Sequence, residues 1–181
     1  AGAEPTVPAL PGDSSVPVLA ATSPADIAGI REGGAAIVLM DEDGYYWGSS
    51  IAEEVAALAA RTGRRLTIVT RYFEAFRELP MVSRIAALRA LDQAGVQIVT
   101  SSFVAGIARG GVEITHALSG RTTTIADCAA VLWTGMQTAR NALHLALKSR
   151  GFDRSFLIGD AFAPRRLPVA LLEAHNTARA I

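Results

Sequence analysis

The pattern of apolar and polar positions first predicts a strand–helix–strand unit. Residues 36–40 are continuously apolar, which is typical of a strand buried on both faces of a sheet. Residues 49–61 have helical periodicity, and Gly63 follows as a residue that commonly ends a helix. The apolar face of this helix comprises Ile51, Val55, Leu58 and Ala59. Residues 66–70 are apolar again, so we expect two parallel strands joined by the helix.

The same pattern continues and then changes character. A helix is predicted over 82–94 and a third parallel strand over 96–100. The inward-facing residues of this helix are expected to be Ile85, Leu88 and Leu91. Short strands joined by tight glycine turns follow, which predicts an antiparallel meander. These strands span 103–108, 112–117 and 121–125. A buried strand over 129–133 returns to the parallel sheet.

The two ends of the chain are predicted to be less regular. The first 34 residues are rich in proline and are expected to form extended chain and turns. A short helix is expected to begin at Ser23, because Pro24 and Asp26 suit its first turn. The elements predicted in the tail are a helix over 139–149, a strand over 155–158 and a helix over 167–181. Together the elements predict an α/β fold, a Rossmann-like three-layer nucleotide-binding domain with an inserted antiparallel meander.

Composition narrows the functions that the chain can have. Half of the residues are apolar and 19% are charged, as in globular proteins. Basic and acidic residues balance, and no basic patch is visible, which argues against nucleic-acid binding. No apolar stretch approaches the roughly 20 residues of a membrane-spanning helix. The N-terminus lacks the pattern of a signal peptide, so a cytoplasmic location without membrane contact is expected.

Few residues offer nucleophilic or metal chemistry. The single cysteine, Cys128, lies in an apolar run, which favours a buried core residue over a nucleophile. One cysteine also excludes a four-cysteine zinc site or an iron–sulfur cluster held by this chain alone. His116, His144 and His175 lack the spacing of metal ligands. We therefore predict no metal site and no catalytic residue in the chain, and expect it to be inactive alone.

The turn after the first buried strand is where a dinucleotide-binding domain holds the pyrophosphate. Counted back from the helix, Gly48 takes the position of the third glycine of that motif, Tyr45 the second and Asp43 the first. Tyr45 would block the phosphate sterically. The carboxylates at 41–43 would each repel it by about 1 kcal/mol or more, against the ~0.3–1 kcal/mol that the helix dipole offers. We therefore expect a degenerate loop that binds no pyridine nucleotide.

Residues beside this loop leave alternatives open. The side chains of Tyr45, Tyr46 and Trp47 are expected to plug the empty cleft or to pack on a neighbouring domain, in preference to forming an aromatic ligand cage. Thr70 ends the second strand, where an acidic ribose-binding residue is expected. Arg71 could meet a 2′-phosphate, but the missing glycines argue against this role.

Three segments together resemble a family of flavoproteins. The sequence at 159–165 is Gly-Asp-Ala-Phe-Ala-Pro-Arg, the loop at 41–50 leads into Ser-Ile-Ala-Glu, and Gly-Ala-Glu-Pro at 2–5 precedes Pro-Ala-Leu-Pro-Gly at 8–12. These segments resemble the C-terminal region of the trimethylamine dehydrogenase-like proteins. Those proteins belong to the old yellow enzyme superfamily, the NADH:flavin oxidoreductases with C-terminal FAD/NAD(P)-binding-like domains. The resemblance spans nearly the whole chain.

The resemblance implies a division into three segments. Residues 1–34 would be a remnant of an FAD/ADP-binding-like domain, 35–135 a degenerate NAD(P)-binding-like domain, and 136–181 the return segment of the first domain. The fold would then include part of a second FAD/ADP-binding-like half-domain. The segments 1–34 and 150–181 would lack strand partners and would expose strand edges and apolar faces.

The resemblance also implies candidate cofactor residues. In such flavoproteins the acidic residue of a Gly-Asp pair meets a ribose or ribityl hydroxyl, and a carboxylate suits hydroxyl donors. Candidates for holding ADP or FAD are therefore Gly159, Asp160, Ala161 and Arg165, although no cofactor is strongly expected in this chain alone. The resemblance further implies a whole enzyme in which a β/α-barrel carries FMN and a cysteine cluster carries a 4Fe-4S centre. An electron-transferring flavoprotein, the acceptor in one member of the family, is the partner it suggests.

Three functions remain open at this stage. The first is part of an amine dehydrogenase or N-demethylase for methylated amines, with a structural, ADP-binding or acceptor-docking role beside the FMN barrel and the iron–sulfur region. The second is the NAD(P)H-binding domain of an enoate or dienoyl-CoA type reductase, which would need glycines at 43 and 45. The third is a non-catalytic binding module.

Overall fold

A five-stranded parallel sheet forms the centre of residues 7–136. The computed structural model describes residues 2–23, 30 and 34–181. In chain order the strands are β1 (Ala3–Pro5), β2 (Val18–Ala20), β3 (Ala36–Asp41), β4 (Arg65–Thr70), β5 (Gln97–Val99), β6 (Ser102–Ala108), β7 (Gly111–His116), β8 (Thr122–Ile125), β9 (Cys128–Thr134) and β10 (Gln137–Ala139). The helices are α1 (Tyr46–Thr62), α2 (Met81–Gln93), α3 (Ala142–Ser149) and α4 (Leu167–Ala180). The central sheet has the order β2-β9-β3-β4-β5, and its strands pair in parallel.

Alternate residues of β3 serve two cores, one on each face of the sheet. Ile37 and Leu39 pack with α1 and α2 in the helix-side core, whose other members include Ile51, Val55 and Leu91. Val38 and Met40 pack with the meander in the meander-side core, whose other members include Val104, Val112 and Ile114. Because both faces of the sheet are covered, β3 is buried at every residue. The predicted three-layer α/β architecture is confirmed.

The meander also matches the prediction. Strands β6, β7 and β8 form a separate antiparallel sheet in that order, with Val104 opposite Ile114 and Val112 opposite Ile125. A register shift follows Val104, where β6 bends. This sheet covers the face of the parallel sheet that the helices leave open.

The packing of α2 corrects one expectation. Leu91 is buried and Leu88 packs partly against the helix-side core, but Ile85 is 49% exposed. At about 100° per residue, Ile85 lies about 120° around the helix from Leu91. The buried residues of α2 are Ala87 and Leu91, which form a stripe too narrow to include Ile85.

The two ends of the chain belong to one unit, and the middle of the chain forms another. One unit comprises Val7–Met136, and the other comprises Ala1–Thr6 with Gln137–Ile181. The first segment finds strand partners, contrary to expectation: β1 pairs with β10, and β2 pairs in parallel with β9. The helix expected to begin near Ser23 falls largely on 24–29, outside the described residues.

The tail is helical and lacks the strand predicted over 155–158. No described strand runs beside these residues, and without a ladder their apolar pattern does not produce a strand. They lead into a short 3₁₀ helix over Gly159–Ala161. Neither α3 nor α4 has a buried residue, and among the described residues the buried apolar side chains all lie between Val16 and Trp133. None of the described helices combines the length and the apolarity needed to cross a membrane.

Candidate functional site

The loop between β3 and α1 lies at the carboxyl end of the parallel strands, where doubly wound sheets bind dinucleotides. Strand β3 ends at Asp41 and α1 begins at Tyr46, so four residues, 42–45, make the connection. The loop adjoins the point where the strand order reverses, because β4 lies on one side of β3 and β9 on the other. A bound phosphate would lie against the first backbone amides of α1.

The carboxylate of Asp43 accepts hydrogen bonds from two backbone amides at the start of α1. Its Oδ2 atom accepts hydrogen bonds from the backbone N–H groups of Tyr45 and Gly48, both 3.0 Å long. Tyr45 directly precedes the helix, and Gly48 lies in its first turn. A negative side chain of the protein itself therefore sits where a phosphate oxygen would. Asp43 is placed both to repel a phosphate, as the sequence predicts, and to replace it as the partner of the amides.

A second carboxylate, that of Asp41 at the end of β3, is hydrogen-bonded to the loop. It is fully buried, and its Oδ1 atom accepts hydrogen bonds from Thr134 Oγ1 at 2.9 Å and from the amides of Asp43 and Gly44 at 3.2 Å. Its Oδ2 atom has no hydrogen-bond partner in the described structure. Burial raises the pKa of Asp41 to about 6, opposed mainly by the hydrogen bonds from Gly44 and Thr134.

Gly48 allows α1 to approach the end of β3. A Cβ atom at this position would lie 2.2 Å from Oδ1 of Asp41, so the site requires glycine, as the third glycine of the dinucleotide motif does. The Tyr45 ring packs against the helix-side core and contacts the Tyr46 ring edge-on, with centroids 4.7 Å apart. Trp47 packs against the same core, whereas Tyr46 is 45% exposed. Two of the three aromatic side chains thus fill space inside this unit.

Arg71 follows β4, at the position from which a 2′-phosphate would be contacted. Its Nε atom donates a 2.8 Å hydrogen bond to Glu42, and its guanidinium lies 4.5 Å from the centroid of the Phe103 ring. Glu42 also accepts a hydrogen bond from Trp133 Nε1 at 3.1 Å. Thr70, the last residue of β4, is fully buried and leaves no ribose-binding carboxylate there. Arg71 is held towards the meander by these contacts.

The residues of the Gly-Asp motif lie together in the tail unit. Gly159 has a φ of 61°, a left-handed conformation that favours glycine, and its N–H group donates a 2.7 Å hydrogen bond to Glu173 on α4. Oδ1 of Asp160 accepts a 3.1 Å hydrogen bond from the backbone N–H of Arg165. Arg165 also forms an ion pair with Glu173. Ala161, the fourth candidate, ends the 3₁₀ helix.

The side chains of Cys128, His116 and His144 have local partners. The thiol of Cys128 is buried, its pKa is raised by desolvation, and it donates to the carbonyl of Ile125. His116 shares a hydrogen bond with Ser119, and His144 shares one with Ser155. The described residues contain no group of three or more His, Cys, Asp or Glu side chains arranged to hold a metal ion.

Two side chains at these sites, those of Thr134 and Glu173, carried no signal in the sequence. Thr134 meets Asp41 across two strands that are 93 residues apart, and Glu173 meets Gly159 across 14 residues. Neither spacing belongs to a local motif. Asp41 follows an apolar run, and that position alone indicates a carboxylate at the carboxyl end of a buried strand.

Solved structures show what the chain is similar to, whereas no protein-family profile and no curated protein sequence matches it. Histamine dehydrogenase from Rhizobium sp. 4-9 superimposes with a TM-score of 0.78 and 28% identity, over 99% of this chain and 29% of that chain. An amine oxidase for 6-hydroxypseudooxynicotine from Pseudomonas geniculata N1 has a TM-score of 0.70 and 24% identity, over 90% and 25%. A 2-naphthoyl-CoA reductase has a TM-score of 0.68 and 22% identity, over 99% and 26%.

The chain thus spans 25% to 29% of the length of these three proteins. All three are trimethylamine dehydrogenase-like oxidoreductases. The likeness confirms the resemblance predicted from the motifs at both ends and in the central loop: the chain has the fold of the C-terminal FAD/NAD(P)-binding-like region of the trimethylamine dehydrogenase-like flavoproteins.

Proposed function

We propose that this chain is the C-terminal nucleotide-fold part of a larger flavin-dependent oxidoreductase, an amine dehydrogenase or N-demethylase acting on methylated amines. Its role there is structural support, ADP binding or docking of an electron acceptor, without binding of NAD(P)H. The observation that carries this proposal is the Asp43 carboxylate on the Tyr45 and Gly48 amides. The likeness to histamine dehydrogenase supports the amine class.

Energies favour the closed loop over a bound pyrophosphate. A hydrogen bond to a charged group contributes about 1.5–3 kcal/mol net, and Asp43 accepts two of them. A phosphate would have to displace this carboxylate and would then lie beside it, with a repulsion of about 1 kcal/mol or more. The helix dipole, worth about 0.3–1 kcal/mol, favours either anion equally. The hydrogen bonds from the amides to Asp43 are therefore favoured over hydrogen bonds to a pyrophosphate.

Restoring the glycines provides the test. The double variant Asp43→Gly/Tyr45→Gly recreates glycines at 43, 45 and 48, and calorimetric titration with NADH and NADPH compares it with the wild type. We expect no saturable binding to the wild type and measurable binding to the double variant. Asp43→Asn, which removes the charge and leaves Tyr45 in place, is the control for charge alone. Saturable binding of NADPH to the wild type would contradict the proposal.

The NAD(P)H-binding alternative has one observation in its favour, which is the position of Arg71 at the end of β4. In that alternative Arg71 meets a 2′-phosphate, so NADPH binds better than NADH and Arg71→Gln removes the preference. The contacts of Arg71 with Glu42 and Phe103 argue against this role.

The Gly159–Asp160 motif supports an adenine-nucleotide role. Among the described residues only Oδ1 of Asp160 is hydrogen-bonded, so Oδ2 remains to accept from a ribose hydroxyl. These residues thus fit the ribose of ADP or FAD. A 4Fe-4S centre would lie in another part of the enzyme, since this chain has a single cysteine. FMN would lie in the barrel that the family resemblance implies.

A titration of the whole enzyme with ADP tests this assignment. We expect Asp160→Ala to weaken ADP binding, and Asp153→Ala, which removes an exposed carboxylate from the same unit, to leave it unchanged. Equal ADP affinity of the wild type and Asp160→Ala would remove Asp160 from the site. An electron-transferring flavoprotein is the partner expected for the docking role.

Exposed apolar residues in the tail support a larger assembly over a free-standing binding module. The exposed leucines of α3 and α4 are Leu143, Leu145, Leu167, Leu171 and Leu172. Several exposed leucines on two neighbouring helices of the sequence favour burial against another part of a larger protein over function as an isolated module.

A further inference from the structure

A cavity of about 300 Å³ lies at the carboxyl end of the parallel sheet, on its meander side. Glu42 after β3, Arg71 after β4 and Trp133 in β9 contribute to its wall. Strands β3 and β9 flank the point where the strand order reverses, and open α/β sheets bind ligands at that point. The volume is at the lower end of the range for small-molecule sites.

Both oxygens of the Glu42 carboxylate already accept hydrogen bonds from the protein. Its Oε1 atom accepts from Arg71 Nε at 2.8 Å, and its Oε2 atom accepts from Trp133 Nε1 at 3.1 Å. The Glu42 side chain is only 20% exposed. A cationic ligand would have to share these oxygens with Arg71 and would be repelled by its guanidinium, so the cavity is a poor site for an amine.

The guanidinium of Arg71, in contrast, has donor groups that the described protein does not use. Its plane is held by the Nε hydrogen bond to Glu42 and by the Phe103 ring, 4.5 Å away. Within the described part of the chain, no acceptor is hydrogen-bonded to its two terminal NH₂ groups. Two such groups on a fixed plane match the two oxygens of a carboxylate.

The rest of the cavity wall is apolar. It includes Pro8, Leu10, Val104 and Met136, and Leu10 and Met136 also pack against the meander-side core. A free phosphate would gain nothing from these side chains, whereas a hydrocarbon or aromatic body would bury apolar surface against them.

We propose that this cavity binds a small organic carboxylate with an apolar or aromatic body. The carboxylate pairs with the terminal NH₂ groups of Arg71, and the body packs against Leu10 and Met136. This site is distinct from the amides held by Asp43, and it does not depend on the function proposed above.

The indole N–H of Trp133 is a direct reporter, because it donates to Glu42 in the cavity wall. Its NMR signal is followed while the chain is titrated with 3-phenylpropanoate, with 3-phenylpropanamide and with 3-phenylpropylamine. These probes share one body and differ in charge. A Trp47→Phe variant assigns the signal, since the chain has two tryptophans.

Two arginines form a matched pair for this test. Arg71 and Arg77 are each 51% exposed, and each has one ion pair and one aromatic contact, but Arg77 lies outside the cavity. We expect saturable shifts with the carboxylate, at least about tenfold weaker binding in Arg71→Gln, and unchanged binding in Arg77→Gln. The amide should bind weakly to all three proteins.

Three results would overturn the proposal. One is the absence of a saturable shift with 3-phenylpropanoate. Another is equal or tighter binding of the amine. The third is an equal loss of affinity in Arg71→Gln and Arg77→Gln, which would indicate a general charge effect. Where 3-phenylpropanoate gives no shift, a saturable shift with inorganic phosphate or ADP would show that the cavity binds a different anion. Circular dichroism of each variant establishes that its fold is retained.

Discussion

Replacing Asp41 by asparagine should remove a pH dependence of stability that this single buried carboxyl group creates. Its pKa is 3.8 in an unfolded chain and about 6 in the folded protein, because burial disfavours the charged form. Between these values the folded state holds a proton that the unfolded state has released. The stabilisation is therefore complete below about pH 4 and is lost as the pH rises through about 6.

The size of the effect follows from the same two values. One pKa unit corresponds to about 1.4 kcal/mol, so the rise to about 6 corresponds to about 3 kcal/mol lost between about pH 4 and pH 7. Asp13 is the other carboxyl group with a clear shift among the described residues, and its pKa is lowered. Its contribution to stability is therefore lost only as the pH falls below about 4. The raised pKa values of Tyr72 and Cys128 act in the alkaline range.

Urea unfolding at about pH 4.5 and about pH 7.5 measures the difference. Fluorescence reports the unit that contains Asp41, because Trp47 and Trp133 both lie within Val7–Met136. Asp41→Asn places an NH₂ group where Oδ2 has no partner, which costs about 1–3 kcal/mol at every pH. The wild type should lose stability over this range relative to Asp41→Asn.

The control is Asp92→Asn, which removes an exposed carboxylate from α2. It should lose stability with pH in parallel with the wild type. If Asp41→Asn also follows the wild type in parallel, the reasoning about the buried carboxyl is refuted.

Two further predictions concern packing. Gly48→Ala should lower the free energy of urea unfolding by about 1–3 kcal/mol, because the added Cβ atom would lie 2.2 Å from Oδ1 of Asp41. The control Ser50→Ala, in the same turn, should change this free energy little. Equal stabilities of the two variants would show that the strand end can move. Leu171→Glu should change the unfolding free energy of this chain by less than about 0.5 kcal/mol, because Leu171 is 61% exposed. A loss of several kcal/mol would mean that this face of α4 is buried in solution.

Periodicity was sufficient to predict the buried strands β3, β4 and β9 of the central sheet, because they are covered on both faces, but it did not predict β2. The apolar runs at 36–40, 66–70 and 129–133 each became a strand, extended by one or two residues. A run of the same kind at 155–158 did not, because a strand also requires a neighbour and the described chain provides none there. Ile85 shows a related limit, since an apolar residue on an amphipathic helix is buried only where another element covers it.

The candidate site could be located from the sequence, but its hydrogen bonds could not. Gly48, Tyr45 and Asp43 identify the loop through their spacing from the helix. The direction of the Asp43 carboxylate depends on how the loop folds back on the first turn of α1, and no spacing rule encodes that geometry. From the sequence, the acids at 41–43 suggested only repulsion of a phosphate. In the structure, Asp43 also accepts hydrogen bonds from the Tyr45 and Gly48 amides.

The two acids of the loop have different physical roles. The first amides of a helix need an acceptor, and a dinucleotide-binding protein leaves them to its ligand. In this chain Asp43 accepts hydrogen bonds from the amides of Tyr45 and Gly48 at this position. Asp41 holds the loop at the strand end, but its burial makes the charged form costly. A substitution at 43 should therefore change which anions the loop accepts, whereas one at 41 should change how stability depends on pH.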